Sequence, residues 1–175
     1  NLGDMGGKDW EDIQRGIDYC IDQGIADPDR LGIAGWSYGG FMAAWAVTHT
    51  DRFRAAVMGA GISDWRSFHG KSYLSDWDVI YLGDGNPYDP DGVYRERSPI
   101  TYVKRATTPT LILHGEADED VPVEQSYMFY RALKDLGVET ELVVYPREPH
   151  GPSERNHVLD VARRSTEWFV SRLEP

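Results

Sequence analysis

Apolar positions along the chain follow two alternating patterns. From 10 to 23, Trp10, Ile13, Ile17, Cys20 and Ile21 fall three or four residues apart. That spacing predicts an amphipathic helix, with Asp9 as its N-cap and Gly24 just past its end. ADPDR then turns the chain, and LGIAG (31–35) is a short unbroken apolar run of the kind a buried parallel strand shows. The same kind of run recurs as RAAVM (54–58), TLIL (110–113) and ELVVY (141–145). Helical spacing returns from Tyr38 to about His49, from Val123 to Leu136 with Gly137 as its stop, and from about Asn156 to Leu173. The last helix has Val158, Val161, Ala162, Ser165, Trp168 and Phe169 on or near its inner face. Between Gly59 and Val103 the chain is rich in Trp, Tyr, Gly and Pro, and no period is legible. Strand and helix otherwise alternate, which predicts an α/β fold: a parallel sheet of about four strands with helices on both faces, in a single domain spanning 1–175.

Composition narrows the function. Eighteen basic residues against 29 acidic ones give a net charge of −11, which repels phosphate backbones and argues against a nucleic-acid partner. No apolar run approaches the ~18 residues of a membrane span, so a membrane role is not expected. Cys20 is the only cysteine. An intrachain disulfide is therefore impossible, and the chain suits a reducing, cytoplasmic compartment. The chain has no Met at position 1, which makes it look like a piece of something longer.

Against this background GWSYGG (35–40) stands out. Gly35-Trp36-Ser37-Tyr38-Gly39 matches G-x-S-x-G, a turn between strand and helix that lifts a serine hydroxyl clear of the sheet. Small residues are needed on either side of such a turn, and Gly35 and Gly39 supply them. The Tyr38 amide, at the start of the following helix, faces the reacting centre as an oxyanion donor. A serine needs a base and an orienting carboxylate. Asp118, in HGEADEDVP, follows the TLIL strand, with Asp120 as its rival. His150, in YPREPHG, follows the ELVVY strand, with His157 as its rival. His49 is expected at an exposed helix end, and His114 in a turn whose Gly115 suggests a structural role. The order Ser37, Asp118, His150 is that of α/β-hydrolases. No Cys/His cluster or H-E-x-x-H pattern offers a metal site, and the glycines lack the Lys and spacing of a P-loop. Neither a metal nor a cofactor is expected.

With GDMGGKDWEDI, DPDRLGIAGWSYGGFMA, LILHGEADEDVP and VVYPREPHG in order, almost the whole chain resembles the catalytic domain of the prolyl oligopeptidase family of serine peptidases, in its acylaminoacyl-peptidase and dipeptidyl-peptidase-like branch. The resemblance implies that Ser37 attacks a peptide or ester carbonyl, His150 is general base and then acid, and Asp118 fixes the imidazole. It also implies a substrate pocket of Trp36, Ile62, Trp65 and Phe68, with Val121 from the Asp118 loop. The alternative reading makes Ile62, Trp65 and Phe68 plain core under a long loop.

Family members carry a β-propeller and further strands ahead of this region, and one of those strands leads to the second oxyanion donor. On that comparison this is a truncated α/β-hydrolase fold, and the donor has no residue in the chain. The LGIAG strand would then be an edge, which predicts self-association through Leu31 to Gly35 into a homo-oligomer. The expected function is a serine hydrolase acting on short peptides or small esters. The alternatives are a carboxylesterase without peptidase activity and a catalytically impaired remnant.

Overall fold

The computed structural model describes residues 2–83 and 85–174. Its elements in order are α1 (Lys8–Asp22), β1 (Leu31–Trp36), α2 (Tyr38–His49), β2 (Phe53–Gly59), α3 (Trp65–Lys71), α4 (Ser75–Leu82), α5 (Val93–Glu96), a 3-10 helix (Pro99–Arg105), β3 (Thr110–Gly115), α6 (Glu124–Asp135), β4 (Thr140–Tyr145) and α7 (Arg155–Leu173). The four strands form one sheet in the order β1-β2-β3-β4, and every pairing is parallel. Four parallel strands between helices bear out the α/β reading.

The middle strands explain why the runs are unbroken. All six residues of β3 are buried, as are all of β2 except Arg54, while β1 and β4 at the edges are only partly covered. Side chains alternate between the faces. Ala56, Met58 and Ile112 pack with Ala44 and Val47 of α2 and Phe129 and Leu133 of α6. Ala55, Val57, Leu111 and Leu113 pack with Trp168 of α7 on the opposite face. Gly32 is required there, since a side chain would press into Phe169.

Three local expectations are corrected. Asp9 does not cap α1: the Lys8 amide donates to Asp4 Oδ2 at 3.0 Å, and Asp9 sits inside the first turn. Val158 and Ala162 are exposed on α7, whose buried stripe is carried by Trp168 with Val161 and Phe169 beside it. His49 is half-buried, its ring stacked on Trp45 at 3.7 Å and its Nδ1 bonded to the Trp45 carbonyl.

The segment without a legible period folds into short helices over an aromatic core. Trp65 is buried between Phe41 (centroids 5.0 Å apart), Phe68 (5.4 Å) and Trp77 (6.0 Å). Such packing has no period because each helix is too short to repeat a face. Among the described residues no helix is long and apolar enough to cross a membrane.

Candidate active site

All four strands run the same way, so the loops that follow them gather at one sheet edge, the usual ligand-binding side of an open α/β sheet. Ser37 immediately follows β1. Its backbone is left-handed (φ 60°, ψ −119°), a conformation that costs a non-glycine residue about 1–3 kcal/mol. The Ser37 amide donates to Gly59 O at 2.9 Å, which ties the turn to the end of β2. Although Ser37 occupies the N-cap position of α2, its hydroxyl caps nothing. Instead Oγ lies 2.7 Å from His150 Nε2.

Glycines allow the turn, though not all those the motif suggests. A Cβ at Gly35 would collide with the backbone of Gly39, whereas one at Gly39 would meet open space. The second obligatory glycine is Gly40, whose Cβ would strike Gly59 O and Gly61. Spacing alone does not reveal this close approach of α2 to the loop after β2.

Asp118 and His150 meet because their loops are joined. The Ala117 amide donates to Glu148 O (2.9 Å) and the Glu116 amide to Tyr145 O (2.9 Å). A side chain at Gly115 would collide with the Glu148 and Pro149 carbonyls. Trp36 Nε1 donates to His150 O at 2.6 Å, joining the end of β1 to the same loop. Glu148, buried, anchors the other side: its carboxylate accepts from the Ser153 and Glu154 amides at 2.7 and 2.8 Å and from His157 Nδ1 at 2.7 Å.

His150 Nδ1 lies 2.8 Å from Asp118 Oδ2. The Asp118 side chain is fully buried, while the ring is 24% exposed. Burial pushes the Asp118 carboxyl up, but hydrogen bonds from His114, His150 and the Val121 amide outweigh it and bring the value to about 2. An ionised Asp118 only accepts, so the Nδ1 proton belongs to His150 and Nε2 is left to accept from the serine. The hydrogen bond to Asp118 raises the His150 pKa above its ordinary value, against the opposing pull of burial.

Beside Ser37 and His150 opens a cavity of about 290 Å³, lined also by Tyr38, Ile62, Phe68, Leu74, Trp77, Asp120 and Val121. Of the five expected pocket residues, Ile62, Phe68 and Val121 line it. Trp65 does not, because it is buried beneath Phe68 and Trp77. Trp36 does not either, since its ring covers Gly59 and its indole supports the His150 loop. Leu74, Trp77 and the Tyr38 side chain were not anticipated; the Tyr38 hydroxyl is bonded to Asp9. Gln125 was missed as well. Its Oε1 accepts from the Ser63 and Asp64 amides at 3.0 and 2.9 Å and holds the pocket wall after β2 against α6.

Neither rival takes part in the Ser37–His150–Asp118 chain of hydrogen bonds. Asp120 is at the cavity wall, and His157 pairs with Glu148. Glu148, Glu154 and His157 are the one group of described residues whose atoms converge as metal ligands could. The Glu148 oxygens are already filled by amide donors, and Glu154 pairs with Arg147 at 2.8 Å.

A strand-turn-helix serine bonded to a histidine, itself bonded to a buried carboxylate, is a hydrolase arrangement. The model of the prolyl oligopeptidase family matches residues 2–175. The chain belongs to the prolyl oligopeptidase family. Among its relatives is an uncharacterized peptidase, YuxL, of Bacillus subtilis (strain 168), 40% identical over 98% of this chain and 27% of that protein. An acylamino-acid-releasing enzyme of Arabidopsis thaliana is 31% identical over 97% of this chain and 22% of that protein. The solved acylaminoacyl peptidase of Pyrococcus horikoshii superposes with a TM-score of 0.93 at 36% identity, covering 99% of this chain and 29% of that one. This chain therefore spans about a quarter of the length of these family members.

Proposed function

We propose that the chain carries the catalytic centre of a serine peptidase that cleaves short or N-acylated peptides through an acyl-enzyme. The observation that supports this most directly is the continuous hydrogen-bonded path from Ser37 Oγ to His150 (2.7 Å) and on to Asp118 (2.8 Å) beside an apolar cavity. Ser37 Oγ attacks the carbonyl carbon as its proton passes to His150 Nε2. Asp118 holds the ring and stabilises the imidazolium. As the tetrahedral centre collapses, His150 returns the proton to the leaving amine. A water then enters by the same route in reverse and frees Ser37.

The Tyr38 amide, at the first position of α2, is the proposed oxyanion donor. Phe68, Trp77, Ile62, Leu74 and Val121 suit a hydrophobic side chain on the acyl side of the scissile bond. The acylamino-acid-releasing activity named for the Arabidopsis relative fits such a substrate. In this reading residues 1–175 are one hydrolase unit of the family and work in a reducing compartment. The unit is also proposed to self-associate through β1, which pairs with β2 alone among the described strands. A monodisperse monomer at high micromolar concentration in light scattering contradicts that association.

A fluorophosphonate probe tests the centre: the wild type should be labelled at Ser37 and Ser37→Ala should not. No labelling of either protein overturns the reading in favour of an inactive remnant. Hydrolysis of p-nitrophenyl acetate without any hydrolysis of an N-acetylphenylalanyl anilide favours a carboxylesterase instead.

A further inference from the structure

Asp118 is shared by two histidines, and the mechanism above uses only one. His114, the fifth residue of β3, has no exposed surface. Its Nε2 lies 2.8 Å from Val121 O and 3.2 Å from Asp118 Oδ2, and its Nδ1 lies 2.6 Å from Ser126 Oγ. Ser126, at the start of α6, is likewise fully buried.

The hydrogen-bonding chemistry selects one tautomer. Val121 O and the Asp118 carboxylate can only accept, so Nε2 must carry a proton and offer it to both. Ser126 Oγ can donate, so Nδ1 can remain an acceptor and the ring can stay neutral. A neutral ring avoids an extra charge in a site with no water contact. His114 thus joins the two ends of the Asp118–Val121 turn to β3, at the same carboxylate oxygen that His150 Nδ1 uses.

We propose that His114 is a positioning residue for the proposed hydrolysis: it holds Asp118 Oδ2 where His150 needs it. The proposal rests on the reading of Ser37, Asp118 and His150 as the reacting set. Without His114, Oδ2 would keep one donor and Oδ1 only the Val121 amide, and the Val121 carbonyl would lose its partner, so the turn that carries both contacts would be held less firmly. Held by His150, His114 and the Val121 amide, both oxygens are tied down. The rigid strand behind His114 makes the hold preorganised rather than assembled during reaction.

Two carboxamide variants that differ by one methylene test the reach of the donor, and the pH profile and the His150 Nδ1 proton separate positioning from packing. In Gln the amide nitrogen reaches the place of His Nε2; in Asn it reaches only the place of Nδ1. His114→Asn should therefore lose the bond to Asp118, whereas His114→Gln should keep it. For His114→Asn the expected result is a fall in kcat of about 10- to 100-fold with little change in KM, and an acid limb of the kcat/KM profile displaced to lower pH. The displacement follows because His150 loses part of the bond that raises its pKa. His114→Gln should restore most of the rate.

A second readout needs no turnover. The proton between His150 Nδ1 and Asp118 should resonate far downfield in the NMR spectrum, and it should be present in Ser37→Ala and in Ser37→Ala/His114→Gln but lost or shifted upfield in Ser37→Ala/His114→Asn. If His114→Asn does not fold, Ser126→Ala leaves His114 Nδ1 without its partner, loosens the ring that holds Asp118 Oδ2 and should shift the same resonance. The proposal is overturned if the resonance and acid limb are the same in His114→Asn as in the wild type, or if Gln and Asn lower the rate equally with both signals unmoved. It is equally overturned if Ser126→Ala, standing in for an unfolded Asn variant, leaves the resonance in place. Fluorophosphonate labelling of the wild type keeps the underlying reading independent of either result.

Discussion

Two histidines seven residues apart in sequence each pair with a buried carboxylate, and the two pairs resemble each other closely. His150 Nδ1 meets Asp118 at 2.8 Å and His157 Nδ1 meets Glu148 at 2.7 Å. Both rings are about one-fifth exposed, both carboxylates are buried, and hydrogen-bond donors hold both carboxyls at about 2 against the upward push of burial. What separates them is the surroundings. His150 turns Nε2 to Ser37 Oγ at a cavity, whereas Glu148 spends its oxygens on the Ser153 and Glu154 amides just ahead of α7 and His157 packs against Tyr145, with ring centroids 5.3 Å apart. In the proposed mechanism one pair moves a proton to a substrate, while the other holds the start of α7 and pins a loop. A histidine beside a carboxylate is therefore not a functional signature until the second ring nitrogen has a partner.

The comparison breaks most sharply at Ser37. Ser37→Ala or His150→Ala should lower kcat by about 10⁶-fold, measured on an N-acetylphenylalanyl anilide. Asp118→Asn should cost about 10⁴-fold, because an amide can hold the ring in the wrong tautomer. In the same assay His157→Gln should stay within about twofold of the wild type and lose about 1 kcal/mol of stability in denaturant titration. Loss of activity in His157→Gln equal to that in Asp118→Asn would erase the distinction.

At the cavity, Trp77→Ala should lower kcat/KM for a phenylalanyl substrate by about 10- to 100-fold and much less for an alanyl one, since only the larger side chain loses contact area. A uniform loss would mean that Trp77 supports the fold without reading the substrate.

The two pairs also differ in what pH does. In the proposed mechanism His150 must be neutral to accept the Ser37 proton, and the hydrogen bond to Asp118 raises its pKa. The acid limb of kcat/KM should therefore lie above about 6.5, the ordinary histidine value. Stability should respond in a different window. The Asp118 and Glu148 carboxyls sit at about 2 when folded, below their unfolded values of about 4. Their stabilisation is present above about pH 4 and disappears as pH falls towards 2. Glu148→Gln should reduce the drop in melting temperature between pH 5 and pH 3, the smallest of these effects. An unchanged drop would show that Glu148 does not couple folding to protons.

Much of this arrangement was legible in the sequence, but unevenly. Unbroken runs such as TLIL marked the strands because burial on both faces leaves no polar position. GWSYGG, HGEADED and YPREPHG marked the loops after three of those strands, and the parallel fold brings such loops together. The glycine requirement was legible at Gly35 and misread at Gly39, because the collision that matters at Gly40 comes from Gly59 and Gly61, a strand away. His114 looked structural beside Gly115, and only its contacts with Asp118, Val121 and Ser126 place it behind the site. Trp65 and Trp77 could not be told apart by spacing, since two short helices decide which ring lies beneath and which faces the cavity.

By itself the sequence determined the strand and helix alternation, the elbow at Ser37 and the order of serine, carboxylate and histidine. Those features are local: they depend on burial, on backbone freedom and on neighbours a few residues away. Tertiary structure alone decided which histidine faces the serine, which carboxylate lies behind it, and which aromatic rings line the cavity. Each of those depends on side chains from different loops meeting within hydrogen-bonding or van der Waals distance, and no periodicity along the chain encodes that proximity.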